Sequence, residues 1–353
     1  MTRSVEILIV GGGIAGLATA MHLGGSGKSV LVLDREATPG FYASGHNAAI
    51  ARQLTGRAEH TALTIEGRNR LKEAGLLCAD GGMLLCADQG GLDALAAEAL
   101  QFGLHVRVGR GSTLPGLVAA QHLEVPSDGV IDIHGVLEHC ARLARAGGVV
   151  LQSGCEVREV RPVADGFRVE TSDGALHAGT LVNAAGAWAG PLGRQAGGLD
   201  IAFRPLRRHL LWSAGEGSVA SPYAWWVDRG LYLRPESGGL LLCPCDETEV
   251  VPPDRGLQPE VDTAVLEPFV QSLRELAPQL ETRSVNRLWS GIRTFAPDRR
   301  FVVGWDPVNP RLFWVAGLGG HGMTAGLAVG RLAASRLVTP RSGPSEGLAR
   351  SVL

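Results

Sequence analysis

The segment Gly11-Gly12-Gly13-Ile14-Ala15-Gly16, with four glycines, follows directly on the apolar run Val5–Val10. Residues of these types at this spacing can hold a pyrophosphate. Gly11 permits a tight turn, Gly13 lets the backbone approach phosphate oxygens, and Gly16 lets a helix pack on the strand before it. Ile14 and Ala15 belong to this binding turn, and the helix behind it points free N–H groups and a partial positive charge at the anion. Asp34 stands 18 residues after Gly16, with Arg35 next to it. At the end of a second strand, its carboxylate is placed to accept hydrogen bonds from a ribose hydroxyl. A Gly-rich turn with no ligand is the plainer alternative, but three glycines at these places weaken a helix.

The elements that must position this chemistry are legible nearby. Val5–Val10 reads as a buried parallel strand, Leu17–Leu23 as a helix and Ser29–Leu33 as the next strand, a β-α-β unit. The glycine motif leaves NAD and FAD both open. The next segment, Gly40-Phe41-Tyr42-Ala43-Ser44-Gly45-His46-Asn47-Ala48-Ala49, is a small-residue loop able to pass close to a flat ring. Thr180–Asn183 reads as another buried strand, followed by the small residues Ala184, Ala185 and Gly186. Leu312–Ala316 is a strand that ends on Gly317-Leu318-Gly319-Gly320-His321-Gly322-Met323-Thr324, and a small-residue helix follows over Ala325–Leu337. His321 either faces the ligand or caps that helix.

In order and spacing these segments resemble the FAD-dependent amine and amino-acid oxidoreductases, the D-amino-acid oxidase-like family of glycine oxidase, sarcosine oxidase and D-arginine dehydrogenase. The resemblance covers nearly the whole chain and is nearest to the D-arginine dehydrogenase branch. It is carried by the first strand through Ala49, by Asp132-Ile133-His134-Gly135, by Gly154–Val160, by Leu181–Trp188, by Trp289–Phe295 and by Phe313–Gly317 with the Gly-rich run behind it. It implies an α/β fold: a discontinuous Rossmann-like FAD-binding domain over residues 1–80, 129–200 and 294–353, and an antiparallel-sheet substrate domain over 81–128 and 201–293. Turn signals within the longer insert separate strands at Arg207–Ser213, Trp225–Asp228, Gly230–Pro235 and Leu240–Cys243, and helical spacing returns at Val265–Leu276.

The resemblance further implies that FAD contacts the 44–49 loop, Val157, Ala185, Gly186, Trp188, Gly291 and Arg293, and the segment Gly317, Gly319, Gly320, His321, Gly322, Met323 and Thr324. The last helix would turn its positive end toward the ring edge that becomes negative on reduction. Arg293 stands where the family places a substrate carboxylate clamp, a role suited to the guanidinium fork. Tyr232, in Leu231-Tyr232-Leu233, matches a substrate-touching Tyr or is half-buried packing. Arg207 and Arg208 read as structural or solvated positions that add positive potential. The implied reaction is oxidation of a carbon–nitrogen bond in a D-amino acid or a glycine-type amine, with O2 or another electron acceptor. A flavin-binding subunit of a larger amine-oxidising complex and a 2-hydroxy-acid dehydrogenase are the alternatives.

The chain departs from the arginine-oxidising branch. Ile50 and Thr55 stand at the positions of a His and a Tyr, and Gly82 at that of the acid that pairs with a basic substrate side chain. Arg52 is newly basic here and admits an acidic substrate side chain. Asn47 takes the place of a tethering residue, so non-covalent FAD is expected.

Composition narrows the rest. The 353 residues carry a net charge of -2, with no basic stripe for nucleic acid. Lys28 and Lys72 are the only lysines, one in a surface turn and one on an exposed helix position, so Schiff-base chemistry is disfavoured. The six cysteines lack zinc spacing and read as buried thiols, and no metal is expected. No run reaches membrane-span length, no signal peptide precedes the first strand, and a cytoplasmic location is expected. The tail after Pro340 reads as loose.

Overall fold

A computed structural model describes residues 3–79, 81–88, 90–215 and 223–339. The expectation for the tail after Pro340 lies outside the described residues.

Five strands run parallel at the centre of an eight-stranded sheet. Their order is Leu312–Ala316, Gly174–Asn183, Arg3–Val10, Val30–Asp34 and Val150–Ser153. The central strands are near-continuous apolar runs because helices and a β-meander cover both faces of the sheet. Ile7, Ile9, Val30, Val32, Val182, Phe313 and Val315 fill one face, and Leu8, Leu31, Leu33, Leu181, Leu312 and Trp314 the other. Gly166–Thr171 and Val157–Val163 add antiparallel to the early part of Gly174–Asn183. The strands Arg3–Val10, Gly174–Asn183 and Leu312–Ala316 all end at one edge of the sheet, the position from which an open α/β sheet binds its ligand.

The two glycine-rich helices start one turn earlier than their apolar spacing suggests. The first spans Ile14–Leu23 and the last Gly322–Val338. Each begins directly at its glycine turn, and the two pack on one another through Gly326 and Gly330, where a side chain would strike Ile14 and Ala18. Asp132 caps the helix Ile133–Ala146, its Oδ1 accepting from the Gly135 N–H at 2.9 Å.

A second sheet of nine strands stands over the ends of the first. It includes Arg204–Ala214, Tyr223–Trp226, Leu231–Glu236, Gly239–Cys243 and Arg287–Phe295. It is antiparallel with one exception: Tyr223–Trp226 runs parallel to Gly82–Cys86. These two strands are far apart in sequence, so no hairpin dictates their sense. The helix over the longer insert spans Leu266–Leu276. Among the described residues, no helix is long and apolar enough to cross a membrane. Cys86, Cys140, Cys155 and Cys243 are buried thiols, but Cys78 is exposed and Cys245 half-buried, so the expectation of buried thiols fails at those two.

Candidate active site

A cavity of about 400 Å³ lies between the strand ends of the first sheet and the face of the second. At one end it is walled by Asp34, Arg35, Glu156, Val157 and Trp188, and at the other by Arg52, Arg208, Trp225, Tyr232 and Arg293. Gly11, Gly13, Ile14 and Ala15 line its middle with Ser44, His46, Asn47, Ala48 and Ala49. Ala185, Gly186, Gly291, Gly317, Gly319, Gly320, His321, Gly322, Met323 and Thr324 also reach it.

Two expected contacts do not. At Gly16 a side chain would enter the carbonyl oxygen of Gly11 and press on Ile9, and at Gly45 it would meet the Gly40 carbonyl at 2.5 Å. Both glycines serve backbone packing behind the wall.

The wall residues are fixed by hydrogen bonds. Asp34 accepts from the Gly12 N–H at 2.5 Å and the Glu36 N–H at 2.7 Å, which leaves each oxygen further acceptor capacity. Burial pushes the Asp34 carboxyl up, against those two bonds. The Arg35 guanidinium lies 4.0 Å over the Trp188 ring and donates to the Tyr42 hydroxyl. Asn47 turns its amide into its own loop, accepting from the Ala49 N–H at 2.8 Å and donating to the Ser44 carbonyl at 2.8 Å. Ala49 itself has φ 56, a strained value for alanine. Arg234 holds the loop from the second sheet by donating to the Ala48 carbonyl at 2.6 Å.

At the far end, Arg293 projects from a strand paired to Leu206. Its Nε and one terminal nitrogen are sealed from solvent and have no hydrogen-bond partner among the described residues. Its nearest carboxylate is Glu247, at 3.6 Å. Glu247 also meets Arg208 at 3.3 Å and pairs with Arg299. The two sequence-expected basic residues separate here. Arg207 is tied to Asp262 at 2.7 Å, whereas Arg208 is buried and lines the cavity, so a merely structural or solvated role is corrected for Arg208. Tyr232 is buried, with Trp225 packed on it at 4.6 Å between ring centroids. Desolvation holds its phenol well above the ordinary range. Behind it, burial opposes ionisation of Cys243, but the neighbouring Cys245 and the Arg208 charge bring that thiol down to about 7.

His321 occupies the cap position of the last helix, but its side chain makes no capping bond. Desolvation, followed by the charges of Arg52 and His60, holds its imidazole well below the ordinary value. It therefore stays neutral at pH 7. His60 stacks on Phe301 at 3.9 Å and is lowered to about 4, chiefly by burial. A histidine so lowered contributes stability above its unfolded value near 6.5, and loses it as pH falls toward 4. Asp128, raised to about 6 chiefly by burial, acts in the opposite sense, so the comparison must isolate His60. Thermal midpoints of the protein and of His60→Gln, taken from pH 7 to pH 4, should converge as pH falls. A constant gap would show that His60 does not titrate in that window.

Sequence reasoning missed Trp225, Tyr42 and Glu247. Only Trp225, in an aromatic pair within a strand, carried any local signal.

The FAD dependent oxidoreductase family (DAO) matches residues 6–336, and the chain belongs to it. Rat (Rattus norvegicus) mitochondrial dimethylglycine dehydrogenase is 30% identical over 224 residues, 58% of this chain and 26% of that protein. The chain thus spans about a quarter of that relative's length. Bacillus licheniformis glycine oxidase is 24% identical, covering 96% of this chain and 94% of its own. The crystal structure of Geobacillus kaustophilus glycine oxidase superposes with a TM-score of 0.82 at 23% identity, covering 99% and 100% of the two chains. That likeness shows the α/β fold with its Rossmann-like FAD-binding domain.

Proposed function

We propose that this chain oxidises the carbon–nitrogen bond of an amino acid or N-substituted glycine, holding FAD non-covalently. The observation that carries the substrate class is Arg293, a guanidinium on the cavity wall with two buried donors that have no hydrogen-bond partner among the described residues. A carboxylate would satisfy both in one bidentate contact. The names of the dimethylglycine and glycine relatives point to the same class.

The residues present fit FAD. The cavity joins an acid and a stacked Arg–Trp pair, a glycine-lined helix start and a second helix start beside the carboxylate clamp. When bound, FAD supplies the two-electron acceptor. Asp34 is available to the ribose, the start of Ile14–Leu23 to the pyrophosphate, and the start of Gly322–Val338 to negative charge that develops on reduction. Asn47, with its amide committed to its own loop, offers no nucleophile for a tether.

The chain's part in the reaction is positioning. Arg293 takes the carboxylate, and Tyr232, held protonated by burial, donates or accepts one hydrogen bond. The second sheet covers the site and limits water. Loss of a hydride from the α-carbon and of a proton from nitrogen leaves an imine. Water then adds, releasing ammonia or an amine and a carbonyl acid. Neutral His321 adds no full positive charge beside the reacting centre. Electrons pass onward to O2 or another acceptor. Buried thiols and the lack of any disulfide among Cys86, Cys140, Cys155 and Cys243 support a cytoplasmic setting.

The test is an anaerobic panel of amino acids, both enantiomers, with glycine, sarcosine, dimethylglycine and 2-hydroxy acids, read by bleaching of the flavin band. Amines with a carboxylate should bleach it. Bleaching by 2-hydroxy acids alone would replace the amine reading. A yellow protein that no amine reduces would mark a flavin-binding subunit of a larger complex. Acid precipitation should leave the flavin in the supernatant.

A further inference from the structure

We propose that the substrate carries a second anionic group, as a dicarboxylic amino acid or amine, and that Arg52 binds that group across Trp225 from the Arg293–Tyr232 clamp. The inference rests on the amine-oxidising reading above and names its substrate class.

Arg52 is rigidly placed. Ala51 before it and Gln53 after it are buried, and the Gln53 N–H donates to Asp128 at 3.1 Å. Its guanidinium lies 4.2 Å over the Trp225 ring, which also packs on Tyr232. It lines the cavity, and its Nε is sealed from solvent without a hydrogen-bond partner among the described residues. Among the described residues no carboxylate comes within ion-pair distance of it.

The two acids in its neighbourhood are already committed. Asp128 accepts from Gln53 Nε2 at 2.8 Å and from the Tyr223 hydroxyl at 2.6 Å. Glu98 accepts from Thr61 at 2.8 Å and from the Gly56 N–H at 3.0 Å. Gly82 faces the Tyr223 ring, which would clash with any side chain there, so an acid for a cationic substrate has no room at that place.

The charge count agrees. Arg52, Arg208 and Arg293 line this end of the cavity, while its lining acids, Asp34 and Glu156, stand at the other. Glu247 reaches Arg208 and Arg293 but is shared with Arg299. One substrate carboxylate on Arg293 leaves Arg52 without a counter-charge, a costly state for a desolvated cation. A second carboxylate offsets that cost and makes a two-point fit.

The experiment uses the flavin-loaded protein, Arg52→Gln and Arg52→Lys. Matched pairs are compared under anaerobic conditions: alanine with aspartate and glutamate, in both enantiomers, and sarcosine with iminodiacetate. Acetate and succinate are titrated separately, read by the visible flavin spectrum. The wild-type protein should favour the dicarboxylates, and Arg52→Gln should lower the dicarboxylate-to-monocarboxylate ratio of kcat/KM by about thirtyfold or more. Arg52→Lys should retain part of the preference, and succinate should bind more tightly than acetate in the wild type, less so in Arg52→Lys and not in Arg52→Gln. A ratio near one in the wild type would overturn the proposal. So would a ratio unmoved by Arg52→Gln while the flavin reduction potential shifts, because Arg52 would then serve the cofactor. If no amine reduces the flavin, the amine reading fails, and succinate against acetate still decides whether Arg52 holds a second anion. That titration in the wild type and Arg52→Lys carries the test if Arg52→Gln does not fold.

Discussion

Arg293→Met should lower kcat/KM for carboxylate-bearing amines by about thirtyfold to several thousandfold, equivalent to roughly 2–5 kcal/mol for truncating one partner of a buried charged pair. The size follows from the guanidinium's surroundings. It is held against Gly320, where a side chain would meet it at 2.8 Å, and near the Phe295 ring at 5.8 Å. Its Nε and one terminal nitrogen wait for an acceptor, and Glu247 at 3.6 Å is too far for a hydrogen bond. Glu247 keeps Arg208 and Arg299 when Arg293 is removed, so the loss falls on the substrate rather than on that cluster. Arg293→Lys should recover only part of the loss, because an ammonium keeps the charge and forfeits the fork. Steady-state kinetics and anaerobic flavin reduction would measure both variants. An unchanged kcat/KM in Arg293→Met would remove Arg293 from the substrate site.

What was legible in the sequence was local. The strand Leu312–Ala316 is bounded as its apolar run suggests, and Asp132, in one of the segments that carry the resemblance, caps the helix Ile133–Ala146. The helix Ala58–Glu73 was legible only at its end, where Lys72 holds the exposed helix position expected of it. Beside Leu63, Gly67 and Leu71, its buried face carries His60, Thr61, Thr64 and Arg68, polar groups satisfied by partners distant in sequence. Thr64 donates to the Gln53 carbonyl at 2.6 Å, and Arg68 to the Ser127 carbonyl at 2.6 Å. Hydrophobic periodicity is blind to a face buried in this way. The site divides similarly. The glycine turns were legible because their demands fall on consecutive residues, whereas Arg293 entered only through the resemblance of Trp289–Phe295 to the family. The Glu247 contacts to Arg208, Arg293 and Arg299 depend on how strands of the second sheet align, and no short motif records that alignment. Gly45 shows the converse, since a glycine needed for packing and one needed for a ligand look alike in sequence.

Gly11→Ala should cost the protein its flavin and much of its stability. Gly11 has φ 116, outside the range that L-residues readily adopt. A Cβ there would lie inside the carbonyl oxygen of Ala184 and 3.3 Å from the Cα of Ala185. Neither neighbour is free to yield. Ala184 donates its N–H to the Val10 carbonyl at 3.0 Å, and Gly11 donates to the Leu33 carbonyl at 2.8 Å, so the turn is stitched to strands on both sides. Relief requires parting the parallel strands where the cavity begins. Overpacking of this kind costs about 1–3 kcal/mol and the strained backbone about 1–3 more, against a total stability of roughly 5–15 kcal/mol. Gly27 separates the two causes. Its φ is 77, yet a side chain there meets nothing within 4 Å. Gly27→Ala should therefore show the backbone strain alone, with flavin retained and the thermal midpoint lowered by a few degrees. Flavin content by absorbance and thermal unfolding would compare the two variants. A yellow Gly11→Ala protein as stable as Gly27→Ala would show that the turn at the strand end can open without cost, and the tight pyrophosphate cradle would have to be abandoned.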